Sequence, residues 1–122
     1  LSAAKGGITA TNPSQWASFT RDIDAANNST IVLVMDKTPS AFSSAAETNY
    51  FRAILSKYVE QGKKVFVISC GSTSYWTSTK DGVRYINLPD LWKADGTVNP
   101  NYKMLRFRVK DGAVTYEAVH IK

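Results

Sequence analysis

Two polar corners, each following an apolar run, hold the side chains of this chain that are best placed for chemistry. Asp36 follows the apolar residues 31–35, and Ser72 and Ser74 follow the similar run of residues 65–69. Open α/β sheets bind their ligands at the carboxyl ends of their strands. A carboxylate and two hydroxyls at such places are therefore candidate ligand-binding groups.

Each of these groups has a functional and a structural interpretation. The Asp36 carboxylate could hold a cation or act as a base, or it could accept hydrogen bonds from nearby backbone amides as a turn aspartate. Ser72 and Ser74, with the Gly71 amide, could bind an anion. As nucleophiles they would need a base, and the one histidine, His120, is far away in sequence. A triad of Ser72, His120 and Asp36 is therefore the least favoured reading, and we predict no catalytic residue.

The histidine and cysteine content limits metal chemistry. A dinuclear metal site needs several imidazoles and carboxylates around two ions, and the chain has a single histidine and a single cysteine. We therefore predict no metal ion and no cofactor. The lone Cys70 excludes a disulfide within the chain. At the end of an apolar strand it is interpreted as an inert, small hydrophobic residue.

Three aromatic residues offer a different chemistry. Tyr75 and Trp76 follow the second polar corner, and Trp92 lies in a long loop after residue 89. Such rings, beside Ser, Thr, Asn and Asp side chains, can stack on the face of a sugar. The alternative is that Trp76 and Trp92 cover the edge of the sheet and belong to the core.

The charge distribution and the hydropathy of the sequence limit the classes of partner that we expect. The formal net charge is +5, but the basic residues are spread along the sequence, so we interpret them as a solvated surface and predict no nucleic acid. No run of about 18 apolar residues is present, so no membrane insertion is expected. Because the chain begins at Leu1 without methionine, it is interpreted as a module of a longer protein whose other domains are its partners.

The domain boundary is placed after residue 11. Residues 1–11 contain small residues and two glycines, and are predicted to be a linker or the remnant of a preceding element. Asn12 and Pro13 then form a helix start, and the spacing of Trp16, Phe19 and Ile23 predicts one apolar helix face. Residues 12–122 are predicted to be a single α/β module.

A strand, helix and strand unit forms the predicted core. The continuous apolar run 31–35 is typical of a strand covered on both faces. Ser44 and Glu47 form a capping box for a helix over residues 44–61. Since the second apolar run follows this helix, we predict adjacent parallel strands with the helix packed across them.

The pattern becomes antiparallel in the last third of the chain. Residues 80–82 form a turn that leads into a strand over 83–88, and residues 110–112 connect 104–109 with 113–121 as a hairpin. The predicted fold class is therefore α/β: a mixed sheet with a parallel strand-helix-strand core and a C-terminal antiparallel hairpin.

Several short motifs carry a resemblance to a known family. They are Gln15-Trp16, Val34-Met35-Asp36, Glu47, Val65-Phe66-Val67 and Gly82-Val83-Arg84-Tyr85. With the order of elements, they resemble the C-terminal half of the calcineurin-like metallophosphoesterases. The chain looks still more like the degenerate modules found beside phosphodiester glycosidase domains in secreted bacterial surface proteins.

The resemblance does not extend to the catalytic positions. The family ends its first strand with a histidine followed by a proline, and its second with a Gly-His-x-His turn. This chain has Asp36-Lys37-Thr38-Pro39 and Gly71-Ser72-Thr73-Ser74 there. Metal binding and hydrolysis are therefore not among the properties that the resemblance implies.

Three functional hypotheses follow. The first is a noncatalytic, phosphoesterase-like structural or interaction module of a larger exported bacterial protein, located outside the cell or on its surface. The second is a carbohydrate-binding module that uses Trp76 and Trp92, with cell-wall polysaccharide as the partner. The third is a hydrolase with a site around Asp36 and Ser72.

Overall fold

The computed structural model describes residues 1–26, 29–72 and 74–120, with only the backbone of Ser72. Within these residues, three helices and six strands follow in chain order, with a short 3-10 helix at Pro39–Ala41. The helices are α1 (Ile8–Thr11), α2 (Gln15–Ala25) and α3 (Ala45–Glu60). The strands are β1 (Thr30–Met35), β2 (Lys64–Ser72), β3 (Trp76–Lys80), β4 (Val83–Pro89), β5 (Lys103–Lys110) and β6 (Ala113–His120).

The predicted strand, helix and strand core is confirmed. β1 and β2 are adjacent and parallel, in register from Thr30 opposite Lys64 to Met35 opposite Ser69. Helix α3 connects them and begins at Ser44, whose hydroxyl accepts a hydrogen bond from the Glu47 amide as an N-cap.

The sheet is mixed, as predicted. Its strand order is β1-β2-β4-β3, in which β4 is parallel to β2 and antiparallel to β3. Strands β5 and β6 form a separate antiparallel hairpin, paired from Lys103 opposite His120 to Lys110 opposite Ala113. The fold class predicted from the sequence is therefore confirmed.

The two faces of the four-stranded sheet are covered differently. On one face the helices bury the main core, which includes Ile31, Met35, Phe51, Leu55, Val65 and Val67. On the other face the hairpin rests on β2, where the Phe66 ring makes edge contacts with Phe107 and Tyr116 at centroid distances of 5.0 and 6.3 Å. These aromatic contacts position the hairpin against the sheet.

The prediction that the first strand is covered on both faces is wrong. Val32 and Val34, which point away from the helices, are 41% and 63% exposed. The hairpin rings reach Phe66 on the next strand but leave the outer strand uncovered. An apolar run alone does not specify how much of each face is buried, because that depends on packing with distant segments.

Residues 1–11 are packed into the module, which corrects their interpretation as a linker. Ala3 and Ile8 are completely buried in the core. The Glu47 carboxylate accepts hydrogen bonds from the Ile8 and Thr9 amides at the start of α1. Glu47 therefore holds this segment.

Helix α2 begins slightly later than predicted. Its N-cap is Ser14, while Asn12 follows the end of α1 and accepts a hydrogen bond from the Ser14 amide. Phe19 and Ile23 are buried and Trp16 is half-buried, so the apolar face predicted from their spacing is the face that packs.

Candidate functional site

The carboxyl ends of β1, β2 and β4 meet at one corner of the sheet. We call this group the strand-end corner: Asp36, Cys70, Gly71 and Asp90. Asp36 follows β1, Cys70 and Gly71 lie near the end of β2, and Asp90 follows β4. Because these strands are parallel, their carboxyl ends lie at the same side of the sheet.

Asp36 is bound by the N-terminal segment. Its carboxylate accepts hydrogen bonds from the Ser2 hydroxyl and from the Ala3 amide, the latter at 2.7 Å. Partial burial acts to raise the pKa of Asp36, but these hydrogen bonds outweigh it, so the pKa lies below its ordinary value. The turn-aspartate interpretation identified the type of bond, but the main partners are more than 30 residues away in sequence.

Gly71 uses its amide within the chain. The amide donates to the Asp90 carboxylate at 3.0 Å. Its φ of +102° favours glycine, and a Cβ there would lie 3.4 Å from the Asp36 carbonyl oxygen. The amide that we predicted for anion binding therefore faces a carboxylate, which repels a second anion.

Ser72 ends β2, and Ser74 lies between β2 and β3. The side chain of Ser72 lies outside the described part of the chain. Ser74 is exposed, and its carbonyl oxygen accepts a hydrogen bond from the Asn87 side chain at 3.2 Å. Ser74 therefore helps to fix the turn before β3.

Cys70 is exposed near the end of β2. Its Sγ lies 4.0 and 3.9 Å from the carbonyl oxygens of Met35 and Asp36. Partial burial, followed by the charges of Asp90 and Asp36, raises the pKa of the thiol. The thiol stays protonated at neutral pH, which does not favour a nucleophile.

His120 lies in the hairpin rather than in the strand-end corner. It pairs with Lys103 across the hairpin, and its Nδ1 lies 3.2 Å from the Tyr102 carbonyl oxygen. Across residues 1–26, 29–72 and 74–120, no three His, Cys, Asp or Glu side chains are grouped to hold a metal ion.

The three candidate aromatic residues have different environments. Trp76 is half-buried and packs against the core, as the structural interpretation requires. Tyr75 is half-buried, and the Lys103 Nζ lies 5.8 Å from its ring centroid. Burial and the nearby Tyr116 raise the pKa of the Tyr75 hydroxyl. Trp92 is 60% exposed, so it alone presents most of its indole ring to solvent.

The loop that carries Trp92 is held by its own hydrogen bonds. Trp92 forms an isolated antiparallel bridge with Val98. Asn99, which is buried, donates from its side chain to the Asp90 carbonyl oxygen and from its amide to the Leu91 carbonyl oxygen. Because these hydrogen bonds fix the loop, the exposed ring has a defined orientation, which lowers the entropic cost of ligand binding.

Sequence reasoning missed Asp90 as a residue of the strand-end corner and did not predict the contacts of Glu47. Asp90 was predictable in principle, because it directly follows an apolar strand in the same way as Asp36 does. The role of Glu47 was not, since its partners Ile8 and Thr9 lie about 40 residues earlier in the sequence.

Comparison of the chain with protein-family models, with curated proteins and with solved structures finds no match. In the described part of the chain, no helix has both the length and the apolar character needed to cross a membrane.

Proposed function

We propose that this chain is a noncatalytic α/β module of a larger exported bacterial cell-envelope protein, in which it acts as a structural or interaction domain. The observation that carries the proposal is the binding of the Asp36 carboxylate by Ser2 and Ala3. A carboxylate that holds a chain segment has fewer lone pairs left for a metal ion or a substrate proton.

The neighbouring groups support the same proposal. The Gly71 amide is directed to Asp90, and the raised pKa of Cys70 disfavours a thiolate. The motifs that resemble degenerate phosphoesterase-like modules are the basis for the exported, cell-surface location. The hydrolase hypothesis is less well supported, because the Asp36 carboxylate is already hydrogen-bonded to Ser2 and Ala3.

The proposal is tested with purified protein and a chromogenic phosphodiester in the presence of manganese or zinc. We expect no turnover above that of buffer with the same metal. The outcome that would contradict the proposal is metal-dependent turnover that is lost in Asp36→Ala and kept in His120→Ala, with both variants folded by circular dichroism.

Carbohydrate binding is the second candidate, and the exposure of Trp92 favours it. The residue is 60% exposed on a hydrogen-bonded loop. Trp76 packs against the core and is a weaker candidate for a stacking platform. We therefore place the candidate sugar contact at Trp92, with cell-wall polysaccharide as the partner to be tested.

A further inference from the structure

Basic residues that are scattered in sequence come together on the hairpin side of the sheet. A groove of about 370 Å³ lies between the amino-terminal ends of β2 and β4 and strand β6. We call it the basic groove, and the side chains that matter in it are Lys63, Lys64, Phe66, Arg84 and Tyr116. Its volume is within the range of small-ligand sites.

A second, smaller depression lies on the outer face of the hairpin. It has a volume of about 210 Å³ and includes Arg106, Arg108, Thr115 and Glu117. Tyr116 lines both depressions. Its ring faces Phe66 and the sheet, whereas Arg106 and Arg108 lie on the outer face of the hairpin, because side chains alternate along a strand. Arg106 and Arg108 are two residues apart on β5, which places successive cations about 6.6–6.8 Å apart along the strand.

The positive charge of this surface is only partly compensated. Glu117 is paired with Arg106 at 2.8 Å. The Lys64 ammonium donates to the Gly112 carbonyl oxygen. This hydrogen bond positions the Lys64 side chain, but a neutral acceptor does not compensate its positive charge. Arg84 and Arg108 make no hydrogen bond or ion pair with any described residue, so both guanidinium groups can take an anionic ligand.

The aromatic residues beside the cations are half-buried and contact one another. Phe107 and Tyr116 stack on each other at 6.1 Å, and Phe66 meets both rings edge-on. Proteins that bind single-stranded nucleic acid use open ring faces to stack bases. An acidic glycan needs only the cations and a partly apolar wall, so the surface fits a glycan better.

We propose that the basic groove binds an acidic polysaccharide. The carboxylate or phosphate of one sugar residue pairs with Arg84, while the sugar ring rests against Phe66 and Tyr116. The chain continues around the edge of the hairpin to its outer face, where Arg108 takes the next acidic group. This inference rests on the proposed role as an interaction module, and it names the chemical class of the partner.

The test measures binding by isothermal titration calorimetry to oligogalacturonate, which carries carboxylates, and to phosphomannan fragments, which carry phosphates. Dextran of similar length is the neutral control. We expect saturable binding to at least one acidic glycan and none to dextran, with affinity that falls as salt is added.

Arg84→Gln is expected to lower the affinity about tenfold or more, because a charge-assisted hydrogen bond is lost. Arg108→Gln is a second variant on the exposed face of the hairpin, with a smaller expected loss. Lys57→Gln removes an exposed cation from α3, on the opposite face of the sheet, and is expected to leave the affinity unchanged.

Three results would overturn the inference. They are no binding to either acidic glycan, an equal loss in Lys57→Gln and Arg84→Gln, or tighter binding to an oligothymidine than to both glycans. If Arg84→Gln does not fold, Arg108→Gln decides, and an affinity equal to that of the parent overturns the inference. A lack of glycan binding would overturn this inference but would not affect the prediction that the protein does not hydrolyse phosphodiesters. Turnover in the phosphodiester assay would overturn the proposed function without changing the measured glycan affinity.

Discussion

Replacing Asp36 with alanine should loosen the N-terminal segment from the sheet. The change removes the acceptor for the Ser2 hydroxyl and for the Ala3 amide. A hydrogen bond to a charged group contributes about 1.5–3 kcal/mol. Since the Ser2 bond is exposed to water, we expect Asp36→Ala to lower the free energy of unfolding by about 2 kcal/mol in total.

The loss is measurable because a domain of this size is stabilised by only about 5–15 kcal/mol. Urea unfolding followed by circular dichroism gives the change in free energy, and hydrogen exchange at the Ala3 amide locates it. Asp22→Ala is a matched control, since Asp22 is exposed and pairs with the exposed Arg21. We expect the control to change the stability by less than about 0.5 kcal/mol.

The pH dependence provides an independent check. The pKa of Asp36 is lowered from its model-compound value of 3.8 on folding, so its contribution is fully present above that value. The contribution is lost as the pH falls through the lower pKa of the folded state. The stability difference between the parent and Asp36→Ala should therefore shrink in acid. A variant as stable as the parent at neutral pH, with the Ala3 amide still protected, would refute the reasoning.

Two further predictions concern other side chains of the same module. Glu47→Ala removes the hydrogen-bond acceptor at the start of α1 and should lower the free energy of unfolding in urea by about 1–3 kcal/mol. The control Glu60→Ala changes an exposed residue and should have little effect. Equal effects of the two variants would contradict this role of Glu47. Trp76→Ala should lower the stability by about 2 kcal/mol or more, because the ring is half-buried on the core, whereas Trp92→Ala should leave it within about 0.5 kcal/mol. Saturable fluorescence quenching by cell-wall polysaccharide that is lost only in Trp92→Ala would favour the second candidate function, and equal destabilisation by both variants would contradict the exposure argument.

Local sequence patterns were sufficient to predict the central crossover. Residues 31–35 and 65–69 are apolar runs, and Ser44 caps a helix with a clear apolar face, so each step depends on neighbours in sequence. The exposure of Val32 and Val34 depends instead on where a hairpin more than 70 residues later comes to rest. No pattern within the strand predicts where the hairpin packs.

The candidate site was also predicted only in part. The position of Asp36 at a strand end follows from the apolar run before it, but its partner Ala3 belongs to a segment of small residues without a helical or strand periodicity. The basic groove was missed for the same reason. Lys64 and Arg84 lie on different strands, and the parallel pairing of β2 with β4 brings these parts of the chain together.

The hydrogen bonds of the N-terminal segment also limit when it can fold during synthesis. The Ala3 amide binds a carboxylate 33 residues later, and the Ile8 amide binds one 39 residues later. At a translation rate of about 5–20 residues per second, Asp36 and Glu47 are therefore added about 2–8 seconds after the residues that they bind. Ile8 cannot reach its buried position in the core until α3 has been made. The packing of this segment therefore follows the synthesis of β1 and α3.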